Sequence, residues 1–137
     1  MIRKIKKDDY EKCYKIIHDC IKFMKWNKET KSKLKRKYTL RRIKKMAEKS
    51  NFFVYENGKK VLASGRLEGN TIYTIYVDPK YHRNGIGTAM IKQLEKLAKS
   101  KKINKVKLYA IKTAIGFYRK MGYKYKNKDS ELMEKRI

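Results

Sequence analysis

Proline, cysteine and acidic residues are all scarce in this chain of 137 residues, which has one proline and two cysteines. In a helix, Cys13 and Cys20 would lie about 10 Å apart at roughly 1.5 Å per residue, which is too far for a disulfide. Neither a Cys-x-x-Cys spacing nor a histidine cluster accompanies them. We therefore expect two buried free thiols and no metal.

Long apolar runs are also missing. No stretch approaches the roughly 18 residues of a membrane span, and the basic start Met1–Lys7 meets Asp8 and Asp9 instead of the apolar segment of a signal peptide. The hydrophobic content of 41% suits one compact domain over residues 1–137. These features predict a cytoplasmic protein without a membrane partner.

Positive charge is abundant, with 39 Lys+Arg against 13 Asp+Glu and a formal net charge of +26. Such a chain attracts any polyanion, nucleic acid included. The basic residues are spread along the whole sequence, which suits a lysine-rich proteome or adaptation to heat as well as a dedicated nucleic-acid surface.

The segment Val77–Met90 carries the most specific pattern. A β-branched and aromatic run, 71–77, ends near the single proline, Pro79, and an amphipathic helix follows two closely spaced glycines, Gly85 and Gly87. Glycines at a helix start let backbone N–H groups approach an anion. The loop lacks the lysine of a P-loop and the third glycine of a dinucleotide fold, so both of those are disfavoured.

Val77–Met90 resembles the acetyl-CoA-binding signature of the GNAT superfamily of N-acetyltransferases, in which Val-x-Pro leads into Gln/Arg-x-x-Gly-x-Gly/Ala. A second segment, Ala114–Tyr123, is similar to the family's Ala-x-x-Phe-Tyr-x-Lys-x-Gly-Phe/Tyr motif. The resemblance implies an α/β (α+β) fold with a mixed, mostly antiparallel central sheet. About seven strands and about four flanking helices are expected, with a V-shaped splay between the fourth and fifth strands.

The chemistry that the resemblance implies is transfer of the acetyl group of acetyl-CoA to a primary amine, by direct attack in a ternary complex and without metal. A backbone N–H near Val77 would stabilise the oxyanion, and Tyr118 stands at the position of the family's general acid. The implied coenzyme-binding residues are Ile75, Tyr76, Val77, His82, Arg83, Asn84, Gly85, Ile86, Gly87 and Thr88.

Three departures from the family pattern concern the base, the phosphate end and an asparagine before Ala114. Many relatives carry a glutamate on the strand before the glycine loop, but residues 71–77 contain no acid. Glu68, Asp78 and a water held by Tyr73 or by backbone carbonyls remain open as bases, as does an amine that arrives neutral. His82 replaces the usual Gln/Arg and is interpreted as a pyrophosphate contact. Ile111 stands where the family often has asparagine.

A different class of function stays open, namely a basic nucleic-acid-binding module whose glycine loop holds phosphate. Tyr73 and Tyr109 would then be stacking platforms, although cleft walls are the commoner role of such residues. For the enzyme, the acceptor is a small-molecule amine or a peptide or protein amine, and the positive field favours an acceptor that bears an acidic group. A monomer and a homodimer are both compatible with the sequence.

The predicted element order is β-α-α-β-β-β-α-β-α-β-β. Asp8 and Glu11 suggest a capping box before a helix that buries Tyr14, Ile17, Ile21 and Met24. A second helical region covers residues 31–49, turns are expected at Asn57-Gly58 and Gly69-Asn70, and the last two strands are expected near 123–126 and 131–135.

Overall fold

A computed structural model describes residues 1–127 and 130–137. Its strands are β1 (Ile2–Lys4), β2 (Asn51–Asn57), β3 (Lys60–Glu68), β4 (Thr71–Val77), β5 (Lys105–Tyr109), β6 (Lys124–Tyr125) and β7 (Leu132–Arg136). Its helices are α1 (Tyr10–Phe23), α2 (Lys28–Lys37), α3 (Leu40–Lys49), α4 (Ile86–Ser100) and α5 (Ile115–Lys120). Short 3₁₀ helices cover Lys7–Asp9, Pro79–Tyr81 and Lys112–Ala114.

The seven strands form one sheet in the order β1-β2-β3-β4-β5-β7-β6. Every neighbouring pair is antiparallel except β4 and β5, which run parallel. The parallel pairing is confined to Thr71 with Lys107 and Ile72 with Leu108. Beyond Ile72 the two strands part, so the predicted mixed sheet and its splay between the fourth and fifth strands are confirmed.

The strand β3 is buried on both sides from Val61 to Leu67, because helices cover both faces of this sheet. One hydrophobic cluster contains Met90, Ile91, Leu94 and Ala98 of α4, which recur at the spacing of one helical face. The other cluster holds the buried residues of α1 together with Tyr38 and Ile43. None of the helices within residues 1–127 and 130–137 has the length and hydrophobicity that a bilayer crossing requires.

The single helical region predicted for residues 31–49 is two helices, so the described part of the chain has five helices beside the sheet instead of about four. The Asn27 side chain accepts from the Thr30 N–H at the start of α2, and the Thr39 hydroxyl accepts from the Arg42 N–H at the start of α3. Tyr38 lies between the helices and is buried. The Thr39 cap and the buried Tyr38 therefore end one helix and begin another, although the run of basic residues continues through both.

The capping box predicted for Asp8 and Glu11 is wrong. Residues 7–9 form a 3₁₀ turn, and the buried Asp9 accepts from the Lys6 N–H at 2.7 Å and from both terminal nitrogens of Arg3, at 2.7 and 3.0 Å. Burial alone would raise the pKa of the Asp9 carboxyl, but the Arg3 and Lys6 hydrogen bonds lower it on balance. The carboxylate therefore anchors β1 to the start of α1 rather than capping the helix.

The inward face of α1 also differs from the prediction. Ile17 and Ile21 are fully buried as expected, but Tyr14 is 37% exposed and Met24 is only partly buried beyond the end of the helix. Cys13 and Cys20 lie in the core instead, as free thiols, and burial raises the pKa of each to about 12. The expectation of two buried, unpaired thiols is confirmed.

Turns and terminal strands follow the prediction with small shifts. Asn57 pairs with Lys60, so the first hairpin turns at Gly58 and Lys59, one residue later than expected. Glu68 pairs with Thr71, which confirms the turn at Gly69-Asn70. The last two strands are the shorter β6 and the slightly later β7.

Candidate active site

The glycine loop brings an open helix N-terminus to the end of β4. Gly85 is the N-cap of α4 and has φ +76, and Arg83 two residues earlier has φ +67. No side chain caps α4, and no acceptor from the described residues hydrogen-bonds the N–H groups of Ile86, Gly87 or Thr88. Three backbone donors and the positive end of a helix of 15 residues therefore face the same space, which is suited to an anion.

Gly85 should be required for the loop conformation. We expect Gly85→Ala to destabilise the protein by about 1–2 kcal/mol, because an L side chain is strained at positive φ, and Gly85→Asn to cost less. Chemical denaturation measures both. Gly116 in α5 is the matched control, since no atom lies within 4 Å of an added Cβ there and its φ is not positive. Gly116→Ala should leave stability unchanged or raise it; an equal loss at both positions would contradict the argument.

A cavity of about 590 Å³ opens beside this helix start. It contains most of the coenzyme-binding residues predicted from sequence and adds several from the α5 region; its lining is Ile75, Val77, Tyr81, His82, Arg83, Gly85, Ile86, Gly87, Thr88, Thr113, Ala114, Phe117 and Tyr118. Tyr76 and Asn84 do not line it. Residues from β4, the glycine loop and α5 are thus brought together around one space.

A β-bulge in β4 shapes the neighbouring strand edge. Arg66 pairs with Tyr73 and Ser64 with Tyr76, so Thr74 and Ile75 together oppose Gly65. Thr74 has φ +62, an unusual conformation for a β-branched residue. Its hydroxyl accepts from Arg66 Nε at 3.0 Å and its carbonyl from the Ser64 hydroxyl at 2.8 Å. These contacts hold the strained residue in place next to the splay.

A second cavity, of about 440 Å³, is lined by residues of both splayed strands. Its walls come from the α1–α2 connection, α2, β4, β5, the segment before α5 and α5 itself; the lining residues are Met24, Trp26, Leu34, Lys37, Tyr38, Ile72, Tyr73, Thr74, Ile75, Tyr76, Leu108, Tyr109, Ile111, Ala114 and Tyr118. Tyr73 and Tyr109 are therefore walls of this cleft, and aromatic rings dominate it.

Ile75, Ala114 and Tyr118 line both cavities. Tyr118 is buried, and its ring packs edge-on against Tyr123 and Phe117, with centroids 5.9 and 5.1 Å apart. Its hydroxyl forms no hydrogen bond with another side chain or backbone group in the described part of the chain. Burial raises the pKa of Tyr118 to about 12, so the phenol is protonated at every physiological pH. A neutral hydroxyl donor thus stands where the two spaces meet.

The residues considered as a base lie elsewhere. Glu68 accepts from Arg66 at 3.1 Å, and Asp78 accepts from the Lys80 N–H at 3.0 Å at the start of a 3₁₀ turn. Neither residue lines either of the two cavities. His82 lines the larger cavity, but its Nε2 lies 2.7 Å from the Val77 carbonyl. A carbonyl only accepts, so this nitrogen carries a proton and ties the loop to β4.

Sequence reasoning does not single out Trp26, Tyr38 or Arg66. Tyr38 packs edge-on against Tyr76, with centroids 5.5 Å apart, and its hydroxyl lies 3.4 Å from the Thr74 hydroxyl. An arginine within an otherwise apolar strand was a usable signal for Arg66. Trp26 and Tyr38 come from segments far from β4 in sequence, and no local pattern marks them.

Comparison with known proteins agrees with this geometry. Residues 48–125 match the model of the acetyltransferase (GNAT) domain. Among solved structures, the PaiA N-acetyltransferase of Thermoplasma acidophilum in complex with coenzyme A is 22% identical, with a TM-score of 0.86 over 100% of this chain and 98% of that one. A GCN5-related N-acetyltransferase of Rhodopseudomonas palustris is 20% identical, with a TM-score of 0.89 over 100% and 95%.

The ribosomal-protein-S18-alanine N-acetyltransferase of Escherichia coli has the same fold, with 19% identity and a TM-score of 0.69 over 100% of this chain and 93% of that one. No curated protein sequence matches this chain. The family model covers more than half of the residues, and the sheet order and splay are those expected of its fold. The chain belongs to the GNAT acetyltransferase family.

Proposed function

We propose that residues 1–137 act as one N-acetyltransferase domain that transfers the acetyl group of acetyl-CoA to a primary amine in a ternary complex. The observation that carries the proposal is the meeting of two cavities at Ile75, Ala114 and Tyr118. One cavity has the open helix N-terminus of α4 and suits a pyrophosphate, and the other adjoins it at those three residues and suits an acceptor. A direct transfer needs such an arrangement, because thioester and amine must be held together.

In this proposal the N–H groups of Ile86, Gly87 and Thr88 bind the pyrophosphate, with Arg83 beside them, and Asn84 supports the loop. The pantetheine arm follows β4 at Ile75, Tyr76 and Val77. A backbone N–H near Val77 stabilises the oxyanion. His82 lines the same cavity and contacts phosphate when its ring turns away from the Val77 carbonyl.

Tyr118 donates a hydrogen bond to the departing thiolate. Full proton transfer from a phenol with a pKa of about 12 to a thiolate whose thiol has a pKa of about 8.5 would be uphill by about 5 kcal/mol. A hydrogen bond that strengthens as charge develops on sulfur avoids that cost. The thiolate then takes its proton from solvent or from the acetylated nitrogen.

The test is equilibrium binding of acetyl-CoA near physiological salt, with ATP and adenosine 3′,5′-bisphosphate as competitors. We expect acetyl-CoA to bind at least fivefold more tightly than either, because only the pantetheine arm uses the splay. Equal affinities that fall steeply with salt would indicate a general polyanion site and would favour the nucleic-acid-binding function instead.

The acceptor is a small-molecule amine or a peptide or protein amine. The ribosomal-protein-S18-alanine N-acetyltransferase, whose fold is similar, acts on an alanine of a ribosomal protein by its name. That likeness makes a protein amine a reasonable acceptor to test here as well.

A further inference from the structure

The proposed acceptor cavity has an unusual charge composition. Within the described part of the chain, Lys37 is the only charged side chain among its lining residues, and no carboxylate or histidine contributes to its walls. The remaining titratable groups that line it are tyrosines. An acceptor cavity for a strongly basic amine would be expected to offer an acid to hold the ammonium group and to take its proton.

Two acidic side chains, one on a wall element and one beside a wall residue, are paired with cations. Glu68 pairs with Arg66, whose guanidinium lies 4.6 Å from the centre of the Tyr73 ring. Glu29 of α2 lies 3.7 Å from Lys33 on the same helix. The electrostatic bias at the cavity is therefore positive, and it disfavours an ammonium group while favouring an anion.

The reacting amine must be neutral to attack a thioester, and a positive cavity without a base favours an amine that is neutral before it binds. At pH 7 the neutral fraction of an N-terminal amine of a peptide is roughly three-hundredfold larger than that of a lysine side chain, given their ordinary pKa values. A site without a base on its walls works best with an amine that is already neutral in a large fraction of its molecules.

The lining residues of the cavity also indicate which groups the acceptor carries besides its amine. The volume of about 440 Å³ lies in the range of small-molecule sites, and the rings of Trp26, Tyr73 and Tyr109 suit an apolar or aromatic side chain. Lys37 is the last residue of α2 and is exposed, so it can pair with an acidic group that extends toward solvent.

Resting on the acetyltransferase function proposed above, we propose that the acceptor is the N-terminal amine of a peptide with an apolar or aromatic first residue and an acidic group beyond it. The nitrogen lone pair forms the N–C bond to the thioester carbonyl, and the C–S bond breaks with its electron pair on sulfur. The proton that the nitrogen loses balances the one that the thiolate gains, so no oxidant or further reactant is needed.

Trp26 offers a direct readout, because it is the single tryptophan of the chain and lines this cavity. With coenzyme A bound, its fluorescence should respond to the tripeptide Phe-Ala-Asp at lower concentration than to Phe-Ala-Lys or to spermidine. Initial acetylation rates at pH 7 should follow the same order. We expect kcat/KM for Phe-Ala-Asp to exceed that for spermidine, and that for the side-chain amine of an N-acetylated lysine amide, at least fivefold.

Variants of α2 test the role of Lys37. Lys37→Met should reduce the preference for Phe-Ala-Asp over Phe-Ala-Lys about threefold, which is the size expected for an exposed ion pair. Lys35→Met is the control, since Lys35 is an exposed residue of the same helix and does not line the cavity. Lys35→Met should leave the preference unchanged.

The outcomes separate the two proposals. Tight acetyl-CoA binding with faster acetylation of spermidine or of the lysine side chain overturns the inference and leaves the acetyltransferase function standing. A preference for Phe-Ala-Asp over Phe-Ala-Lys that Lys37→Met does not reduce also overturns it. Failure to bind acetyl-CoA and to acetylate any of these amines overturns both.

Discussion

Gly87→Asp is expected to lower the affinity for acetyl-CoA at least a hundredfold while the protein stays folded. Gly87 is the second residue of α4, and its N–H is one of the three open donors at the helix start. A carboxylate at that point faces the pyrophosphate, and two like charges about 4 Å apart repel by about 4 kcal/mol at an effective dielectric constant of 20. Isothermal titration calorimetry with acetyl-CoA measures the loss.

The same substitution should not harm the fold, because acidic side chains in the first turn of a helix stabilise it. Gly87→Ala is the matched control: an added Cβ would lie 3.5 Å from the Phe117 ring and 3.8 Å from Val77, which are ordinary contacts. Thermal unfolding should give both variants a midpoint near that of the parent protein. A Gly87→Asp variant that retains acetyl-CoA affinity would show that the coenzyme does not use this helix start.

The part of the site that the sequence predicts is the part built from neighbouring residues. The strand, the glycine loop and α4 follow one another, so local propensity and the positions of Gly85 and Gly87 are enough to place them. The inward face of α1 can also be predicted from the sequence, since Cys13, Ile17, Cys20 and Ile21 recur at helical spacing. Tyr14, which is aromatic but 37% exposed, obscures that pattern.

Features that depend on distant contacts are not visible in the sequence. Thr74 stands in a β-branched run and looks like ordinary strand, but its positive φ depends on Arg66 and Ser64 of β3. Gly65 opposite the bulge leaves room for Ile75, whose Cδ1 would lie 2.8 Å from an added Cβ. No local pattern reports such a fit, so the shape of the cleft edge comes only from the structure.

The absence of an acid in residues 71–77 is an informative sequence feature that needed the structure to be interpreted. From sequence, Glu68 and Asp78 are the nearest substitutes for the missing glutamate. The structure places Glu68 in a pair with Arg66 and Asp78 at the start of a 3₁₀ turn, with neither on the walls of the two cavities. The simpler explanation is then that a water takes the proton from the acceptor ammonium group, or that the acceptor amine arrives already neutral.

Tyr118→Phe is expected to reduce kcat at least tenfold with little change in acetyl-CoA affinity. The ring packing against Phe117 and Tyr123 remains, and only the hydroxyl at the junction of the two cavities is lost. Because the pKa of Tyr118 is about 12, the group stays protonated from pH 6 to 9, and the ratio of parent to variant rates should be constant across that range. Steady-state rates with coenzyme binding measured in parallel check this.

Tyr123→Phe separates chemistry from packing. Tyr123 is buried against the same ring, but its hydroxyl donates to Glu95 at 2.7 Å and it lines neither of the two cavities that meet at Tyr118. Removing that hydroxyl should cost about 1.5–3 kcal/mol of stability, as for a hydrogen bond to a charged group, and should leave kcat unchanged. If both variants lose activity equally, or if Tyr118→Phe keeps full turnover, the hydroxyl of Tyr118 has no part in the transfer. A loss confined to Tyr118→Phe would instead place the leaving sulfur beside that hydroxyl, since Tyr118 is, among the described residues, the one polar side chain that lines both cavities.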